Sequence, residues 1–195
     1  MIEHEIWNKN VSQLIVGADE VGRGSVAGPI VAASVRIGSQ HLQYLKNVKD
    51  SKKLSESKRN IICNNIKKTD IEVRYSLLTN NDIDQKGINY CNRLVLKNVL
   101  SLYLNTDDLL YVDYIKDLDS NIIPLTKGEE KSIAIALASI MAKVYRDSMM
   151  VELSKKFPKY ELENNKGYGT KKHLEAIKKY GLQNFHRKTF LKSFI

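Results

Sequence analysis

The sequence predicts an α/β protein with a mixed sheet. Three observations support this class: apolar, β-branched segments alternate with segments of helical periodicity, no repeat or linker divides the chain, and 195 residues are typical of one domain. Apolar residues make up 43% and charged residues 27%, which is ordinary globular composition and excludes a disordered chain. We therefore expect a single domain over residues 1–195.

Five segments have the composition of strands. Residues 14–18 and 109–112 are short apolar runs that each end at a carboxylate. Residues 29–35 form an apolar, β-branched run after a glycine-rich turn, and residues 71–78 and 122–125 complete the set.

Two helices are predicted between these strands. Ser55 is a typical N-cap for a helix with an apolar face. That face carries Ile61, Ile62 and Ile66. Residues 82–103 have apolar side chains at helical spacing. Those side chains are Leu94, Val95, Val99 and Leu102.

The last third of the chain is predicted to be mostly helical. Residues 129–155 read as one long apolar helix, residues 158–169 as a loop, and residues 170–180 as a last helix capped by Thr170. The longest apolar run, residues 133–142, is about half of the ~20 residues that a membrane span needs.

The sequence has neither the pattern of a secretory signal nor that of a disulfide framework, which indicates its cellular compartment. The first seven residues are acidic and have no apolar region of a secretory signal. Cys63 and Cys91 have no spacing typical of a disulfide framework or a zinc site, so we expect buried, reduced thiols. These features predict a cytoplasmic protein without a membrane partner.

The positive charge is concentrated near the C-terminus. Residues 155–195 contain eleven of the 31 basic residues and three of the 22 acidic ones, so they carry +8 of the net +9. Such a segment suits a polyanion such as nucleic acid. Interleaved aromatic side chains suit bases or sugars, although a solvated basic face above core aromatics is equally compatible. The aromatic residues are Phe157, Tyr160, Tyr168, Tyr180, Phe185 and Phe190.

Carboxylates stand at the ends of two predicted strands. Asp19 and Glu20 follow LIVGA, and Asp113 follows LLYV. In α/β sheets, functional groups gather just beyond the ends of strands. Sites with only oxygen ligands favour Mg²⁺ or Mn²⁺. Two such ions together promote the hydrolysis of phosphodiesters. Successive strand residues point to opposite faces, so Asp19 and Glu20 share a site only if the strand ends or bends there. The alternative is that these residues are caps or ion-pair partners.

The glycine-rich turn has two interpretations. GRGSVAG at residues 22–28 is one residue off the dinucleotide fingerprint, which would indicate an enzyme with a nucleotide cofactor, but a strand rather than a helix is predicted to follow. We favour a tight turn whose amides and Arg23 face a phosphate or a sugar hydroxyl.

Six motifs then follow one another in the order of a known family. They are GADEVGRGSVAGP (17–29), DSKKL (50–54), VD (112–113), KGE (127–129), ASIMAKVYRD (138–147) and KGYGT (166–170). With His173 and the pair His186–Arg187, they make the chain resemble the bacterial ribonuclease HII family (type 2 ribonucleases H) over nearly its whole length.

The resemblance implies a ribonuclease H-like fold, a mixed five-stranded sheet flanked by helices, with a basic helical C-terminal segment. It implies an endonuclease that cuts the RNA strand of RNA–DNA hybrids. The enzyme would also nick duplex DNA 5′ to embedded ribonucleotides, leaving 3′-hydroxyl and 5′-phosphate ends, with two Mn²⁺ or Mg²⁺ ions. A non-catalytic nucleic-acid-binding protein on the same fold is the alternative.

The resemblance also assigns the catalytic residues. The family's metal-binding carboxylates match Asp19, Glu20 and Asp113. Its fourth carboxylate, usually an aspartate, matches Glu129, and the adjacent Glu130 is an alternative to it.

Substrate contacts follow in the same way. The family's Gly-Arg-Gly element, which reads the 2′-hydroxyl, matches Gly22, Arg23 and Gly24. Its tyrosine, which packs on the following deoxyribose, matches Tyr168, and a lysine near the substrate backbone matches Lys52. The chemistry agrees, because the 2′-hydroxyl is the group that distinguishes RNA from DNA at one site.

Several positions keep open interpretations. Tyr114 stands where the family commonly has glycine, which leaves backbone approach there open. We expect Asp147 to be structural, paired with Arg146 or with a neighbouring loop. His173 and His186 are either phosphate contacts or packing residues.

Overall fold

A mixed five-stranded sheet lies at the centre of the protein, in a computed structural model that describes residues 1–46, 48, 54–115 and 118–194. The strands are β1 (Ile15–Val21), β2 (Ile30–Ile37), β3 (Glu72–Leu78), β4 (Leu109–Asp113) and β5 (Ile122–Leu125), in the spatial order β3-β2-β1-β4-β5. β2 is antiparallel to β1 and β3, whereas β4 is parallel to β1 and β5. The predicted mixed sheet is confirmed.

Helices cover both faces of this sheet. They are α1 (Ile2–Lys9), α2 (Glu56–Ile66), α3 (Asn80–Lys86), α4 (Ile88–Leu100), α5 (Gly128–Lys131), α6 (Ile133–Lys156), α7 (Leu162–Asn165) and α8 (Lys171–Tyr180). Among the described residues, no helix combines the length and the apolar character needed to span a membrane.

The alternation of side chains along β1 separates two cores. Ile15 packs with α6 and α2 on one face, whereas Val16 and Ala18 pack with α4 on the other. This parity continues to the end of the strand. It directs Asp19 toward α6 and Glu20 toward α4.

The helix prediction over residues 82–103 is wrong in two respects. The segment is two helices, because Gly87 adopts a left-handed φ of +83° that separates α3 from α4. Leu102 lies beyond α4 and is 61% exposed. In α2, Ser55 caps the helix as predicted, but Ile61 is exposed and Cys63 takes its place in the core.

The helix predicted over residues 129–155 is also divided. Ser132 has an extended backbone, and its hydroxyl accepts the Ile135 N–H at the start of α6. The same hydroxyl donates to the carboxylate of Glu3, at 2.6 Å, from the unpredicted helix α1. Glu3 is fully buried, so α1 has a buried face although this face carries an acidic residue in the sequence.

Most aromatic residues of the C-terminal segment belong to a third core. Tyr160 and Phe185 are buried there together with Ala27 and Met150, and Phe157 packs against them. The core interpretation therefore holds for these rings, whereas Tyr180 is 40% exposed. The predicted loop over residues 158–169 contains α7, and Thr170 caps α8 as predicted. Cys63 and Cys91 are free and buried, as predicted.

Gly17 sets the distance between β1 and α6. A Cβ atom there would lie 2.3 Å from backbone atoms of Ala134 and Ile135, which cannot move aside separately. We expect Gly17→Ala to destabilise the protein by about 3 kcal/mol or more through overpacking. Chemical denaturation measures this change, with Gly24→Ala as control, because a Cβ at Gly24 meets nothing within 4 Å. Equal stability of the two variants would contradict the prediction.

Candidate active site

Three carboxylates meet near the carboxyl ends of the neighbouring strands β1 and β4. The two strands are parallel and in register at Ala18 and Val112, so the next residues, Asp19 and Asp113, lie side by side. Glu129 reaches them from α5. One oxygen of each carboxylate lies within 4.8 Å of the others. They line a pocket of about 380 Å³.

Backbone contacts hold α5 against β4. The Gly128 N–H donates to Asp113 Oδ1 at 2.7 Å. A Cβ at Gly128 would lie 2.7 Å from Ile135 and 3.2 Å from the Asp113 backbone, so only glycine fits so closely. Lys127 turns the chain in a left-handed conformation with φ +56°. This turn brings Glu129 into the pocket.

The two candidates for the fourth carboxylate are separated by burial. Glu129 is 8% exposed and lines the pocket, whereas Glu130 is exposed and does not line it. Both residues belong to α5, where successive side chains point about 100° apart, so only one of them faces the pocket. The geometry therefore favours Glu129.

Glu20 lies in the same pocket but approaches from the other face of the sheet. From the sequence, we expect Asp19 and Glu20 to share a site only if β1 ends or bends there. This condition is wrong, because both residues line the pocket although the strand pairs regularly with β2 through Val21. Glu20 lines the pocket and hydrogen bonds with Asn92 of α4. The tight cluster within the described residues thus consists of Asp19, Asp113 and Glu129, with Glu20 beside it.

Burial and neighbouring carboxylates raise the proton affinity of Asp19 and Glu20. Burial raises the pKa of Asp19 well above its ordinary value, and the charges of Glu20 and Glu129 raise it further, while a hydrogen bond with Ser139 lowers it. Burial also raises the pKa of Glu20, with Arg23 and Asn92 acting in the opposite direction and Asp113 adding to the rise. A divalent cation relieves such repulsion, and an all-oxygen donor set fits Mg²⁺ or Mn²⁺. The residues present fit a metal site.

Other residues of the pocket were not predicted from the sequence. Arg59, Ser139 and Lys143 line it. Lys143 pairs with Asp147 at 2.9 Å, so the expected partnership of Asp147 with Arg146 or a loop is wrong. The i,i+4 spacing of Lys143 and Asp147 on one helix was the signal that could have revealed the pair.

The glycines of the turn differ in their surroundings. Gly22 has φ +92° and is buried, and a Cβ there would lie 2.3 Å from Arg146 Nε. Gly24 is exposed and faces open space, and Arg23 is exposed with its guanidinium 3.3 Å from Asn89 Oδ1. Arg23 and Gly24 are therefore open to a ligand. Strand β2 follows the turn, which disfavours a dinucleotide site.

Tyr168 lies beside the acidic pocket. Its ring is 5.5 Å from Lys143 Nζ and 5.6 Å from the Arg146 guanidinium carbon. Lys143 also lines the pocket, so this side chain lies between the ring and the carboxylates. Lys52 lies outside the described residues. Tyr114, next to Asp113, is 53% exposed.

His173 and His186 are packing residues. Both are fully buried, and their Nε2 atoms are 3.2 Å apart. The Gln183 N–H donates to His186 Nδ1, so neutral His186 carries its proton on Nε2 and donates to His173. His173 then donates from Nδ1 to the Tyr168 carbonyl at 3.0 Å. Their burial excludes direct contact with a phosphate.

Acidic side chains converge near the ends of two parallel strands, and the chain is strongly basic with an exposed arginine-glycine turn. Together these features define a class of protein, the metal-dependent nucleases. Comparison with known proteins gives the particular family. The family model for ribonuclease HII matches residues 16–193.

Relatives and solved structures agree with this match. The chain is 45% identical to a ribonuclease HII of Clostridium botulinum (strain Loch Maree / Type A3) over 93% of its length and 69% of the relative. It superimposes on an RNase HII of Archaeoglobus fulgidus, solved in complex with PCNA, with TM-score 0.75 and 26% identity, over 91% and 93% of the two chains. The Bst RNase HIII in complex with Mn²⁺ shares the fold, with TM-score 0.70 and 19% identity, over 93% of this chain and 66% of that one.

The chain belongs to the ribonuclease HII family. The ribonuclease H-like fold class is confirmed, and the protein is a ribonuclease H, a metal-dependent endonuclease that acts on nucleic acid.

The histidine pair makes stability depend on pH. Burial and the neighbouring His173 lower the pKa of His186 to about 4, below its ordinary value near 6.5, so the unfolded chain binds more protons between these values. The free energy of unfolding should be largest above pH 6.5. It should fall by about 1–2 kcal/mol as the pH decreases to 5.

Urea titrations at pH 7.5 and 5 measure this difference. His186→Gln should remove most of it, while His4→Gln, on an exposed histidine, should leave it unchanged. A His186→Gln protein that keeps the full pH dependence would show that other groups cause it.

Proposed function

We propose that the protein hydrolyses the RNA strand of RNA–DNA hybrids and nicks duplex DNA on the 5′ side of embedded ribonucleotides. The products would carry 3′-hydroxyl and 5′-phosphate ends. The observation that carries this proposal is the cluster of Asp19, Asp113 and Glu129 oxygens within 4.8 Å, beside the open turn at Arg23 and Gly24.

Four carboxylates would hold the metal ions, which we propose to be two Mn²⁺ or Mg²⁺. Asp19, Asp113 and Glu129 form one wall, and Glu20 approaches from the opposite face of β1. When bound, such ions activate a water molecule and stabilise the leaving oxygen of a phosphodiester. An RNase HIII of the same fold was solved with Mn²⁺, which supports this choice of ion.

The protein's own residues orient this site. The Gly128 N–H holds Asp113, Ser139 holds Asp19, and Asn92 holds Glu20. Fixed carboxylates lose little entropy when they bind a cation, so the site is preorganised. Lys143 and Arg59 line the same pocket and would neutralise the phosphates on either side of the scissile bond.

Recognition of the ribonucleotide would come from the turn and from Tyr168. Gly24 leaves open space for a sugar to approach the backbone, and Arg23 is exposed beside it. The Tyr168 ring lies beside Lys143 of the pocket and would pack against the next sugar, where a second 2′-hydroxyl would obstruct it. Lys52 remains a proposed contact to the substrate backbone.

The basic C-terminal segment would bind the duplex. Its exposed lysines include Lys171, Lys172, Lys178 and Lys179 of α8. Lysine contacts to phosphates release counterions, so affinity should fall steeply with salt. We propose that the enzyme acts on chromosomal DNA in the cytoplasm, which is compatible with the free thiols of Cys63 and Cys91.

The first test uses a DNA duplex with one ribonucleotide. We expect a single nick 5′ to the ribonucleotide with Mn²⁺ or Mg²⁺ and none with chelator, because the carboxylates need a cation to act on a phosphate. Asp113→Asn should lower turnover by about 100-fold or more while retaining duplex binding. Binding of the duplex without any nick by the unaltered protein would instead support the non-catalytic alternative.

A second test identifies the fourth carboxylate with a matched pair of variants. Glu129→Gln should lower turnover by about 100-fold, because it removes one of three clustered metal ligands. Glu130→Gln makes the same chemical change one residue later on the exposed side, and we expect less than about a two-fold effect. Equal effects of the two variants, measured by single-turnover nicking, would refute the assignment of Glu129.

A further inference from the structure

Two arginines are fully buried beneath the glycine-rich turn. Arg146, from α6, donates Nε to the Pro29 carbonyl at 2.9 Å and Nη2 to the Ala27 carbonyl at 3.0 Å. Arg187 donates Nε to the Gly28 carbonyl at 3.0 Å and Nη1 to the Arg23 carbonyl at 3.1 Å. Four carbonyls of one short turn are therefore directed inward to guanidinium groups.

These guanidinium groups are bound to carbonyls rather than to carboxylates. Asp147, next to Arg146, pairs with Lys143, and Arg187 Nη2 has no hydrogen-bond partner among the described residues. Burial, together with the nearby charge of Arg146, lowers the pKa of Arg187 to about 9. Two like charges buried near each other oppose folding, and the hydrogen bonds to carbonyls offset part of this cost.

Gly22 is glycine because of Arg146. A Cβ at this position would lie 2.3 Å from Nε and 2.8 Å from Cδ of that side chain. The turn therefore packs directly against the guanidinium, without a side chain between them. Gly24, by contrast, has open space on its outer side.

Arg146 also contacts the loop that carries Tyr168. Its Nη1 donates to the Lys166 carbonyl at 2.8 Å, and its guanidinium carbon is 5.6 Å from the Tyr168 ring. The Val26 and Ala27 N–H groups donate to the Gly167 carbonyl, which draws the loop onto the turn. One side chain thus contacts both proposed substrate-reading elements.

We propose that Arg146, supported by Arg187, is a positioning residue that fixes the turn of residues 22–29 relative to Tyr168 and so sets the preference for a ribonucleotide followed by a deoxyribonucleotide. This inference rests on the proposed function. The turn reads one sugar and Tyr168 reads the next, so the preference depends on the distance between these two elements. Three donors in a planar, rigid fork hold three carbonyls at once, which the flexible ammonium of lysine does not do.

The test compares two substrates of the same sequence, a DNA duplex with one ribonucleotide and a continuous RNA–DNA hybrid. Arg146→Lys keeps the charge and removes the fork. We expect it to lower kcat/KM at least ten-fold for the single ribonucleotide and less than three-fold for the hybrid, where no deoxyribose follows the cleaved site. The Mn²⁺ concentration for half-maximal activity on the hybrid should stay unchanged, because the carboxylates are untouched.

Two further variants keep the test decisive. Arg187→Lys removes the guanidinium that contacts the Arg23 and Gly28 carbonyls and leaves Arg146 in place. It should lower the ratio of the two kcat/KM values about three-fold even if Arg146→Lys does not fold. Arg74→Lys makes the same chemical change on the edge strand β3 and should leave both values unchanged.

The possible failures are distinguishable. An equal loss on both substrates for folded Arg146→Lys, or an unchanged ratio for folded Arg187→Lys, would show a merely structural role and overturn the inference. An unaltered protein that cuts neither substrate would overturn the proposed function itself, and the inference with it.

Discussion

The parallel pairing of β1 with β4 is the constraint on which the site depends. Because Ala18 and Val112 are in register, Asp19 and Asp113 lie at neighbouring points of the sheet although 94 positions separate them in the chain. The close packing of α6 on β1, which Gly17 permits, then brings Ser139 within hydrogen-bonding distance of Asp19. A change in this register would separate the carboxylates by turning one of them to the opposite face.

The protein compensates buried charge in two different ways. Negative charge is gathered in a pocket open to solvent, where a cation from outside can neutralise it. Positive charge is gathered beneath the glycine-rich turn, where the carbonyls of the chain itself bind Arg146 and Arg187. The first arrangement makes a metal site. The second makes a rigid support, because no solvent ion can replace the carbonyls.

Local pattern explains most elements but not their interruptions. The strands and the caps at Ser55 and Thr170 follow from composition and spacing. The division at Ser132 does not, because the apolar periodicity runs on past it. What ends α5 there is the burial of Glu3 against the start of α6, a contact between residues 129 positions apart.

By itself, the sequence determined the class of fold, the family and the residue types of an oxygen-only metal site, because these depend on local periodicity and on ordered motifs. Only the tertiary structure decided which side chains meet. It placed Glu129 beside Asp19 and Asp113, and it set Arg146 against Gly22. These contacts depend on strand register and helix packing between segments that are distant in the chain, so no local pattern reports them.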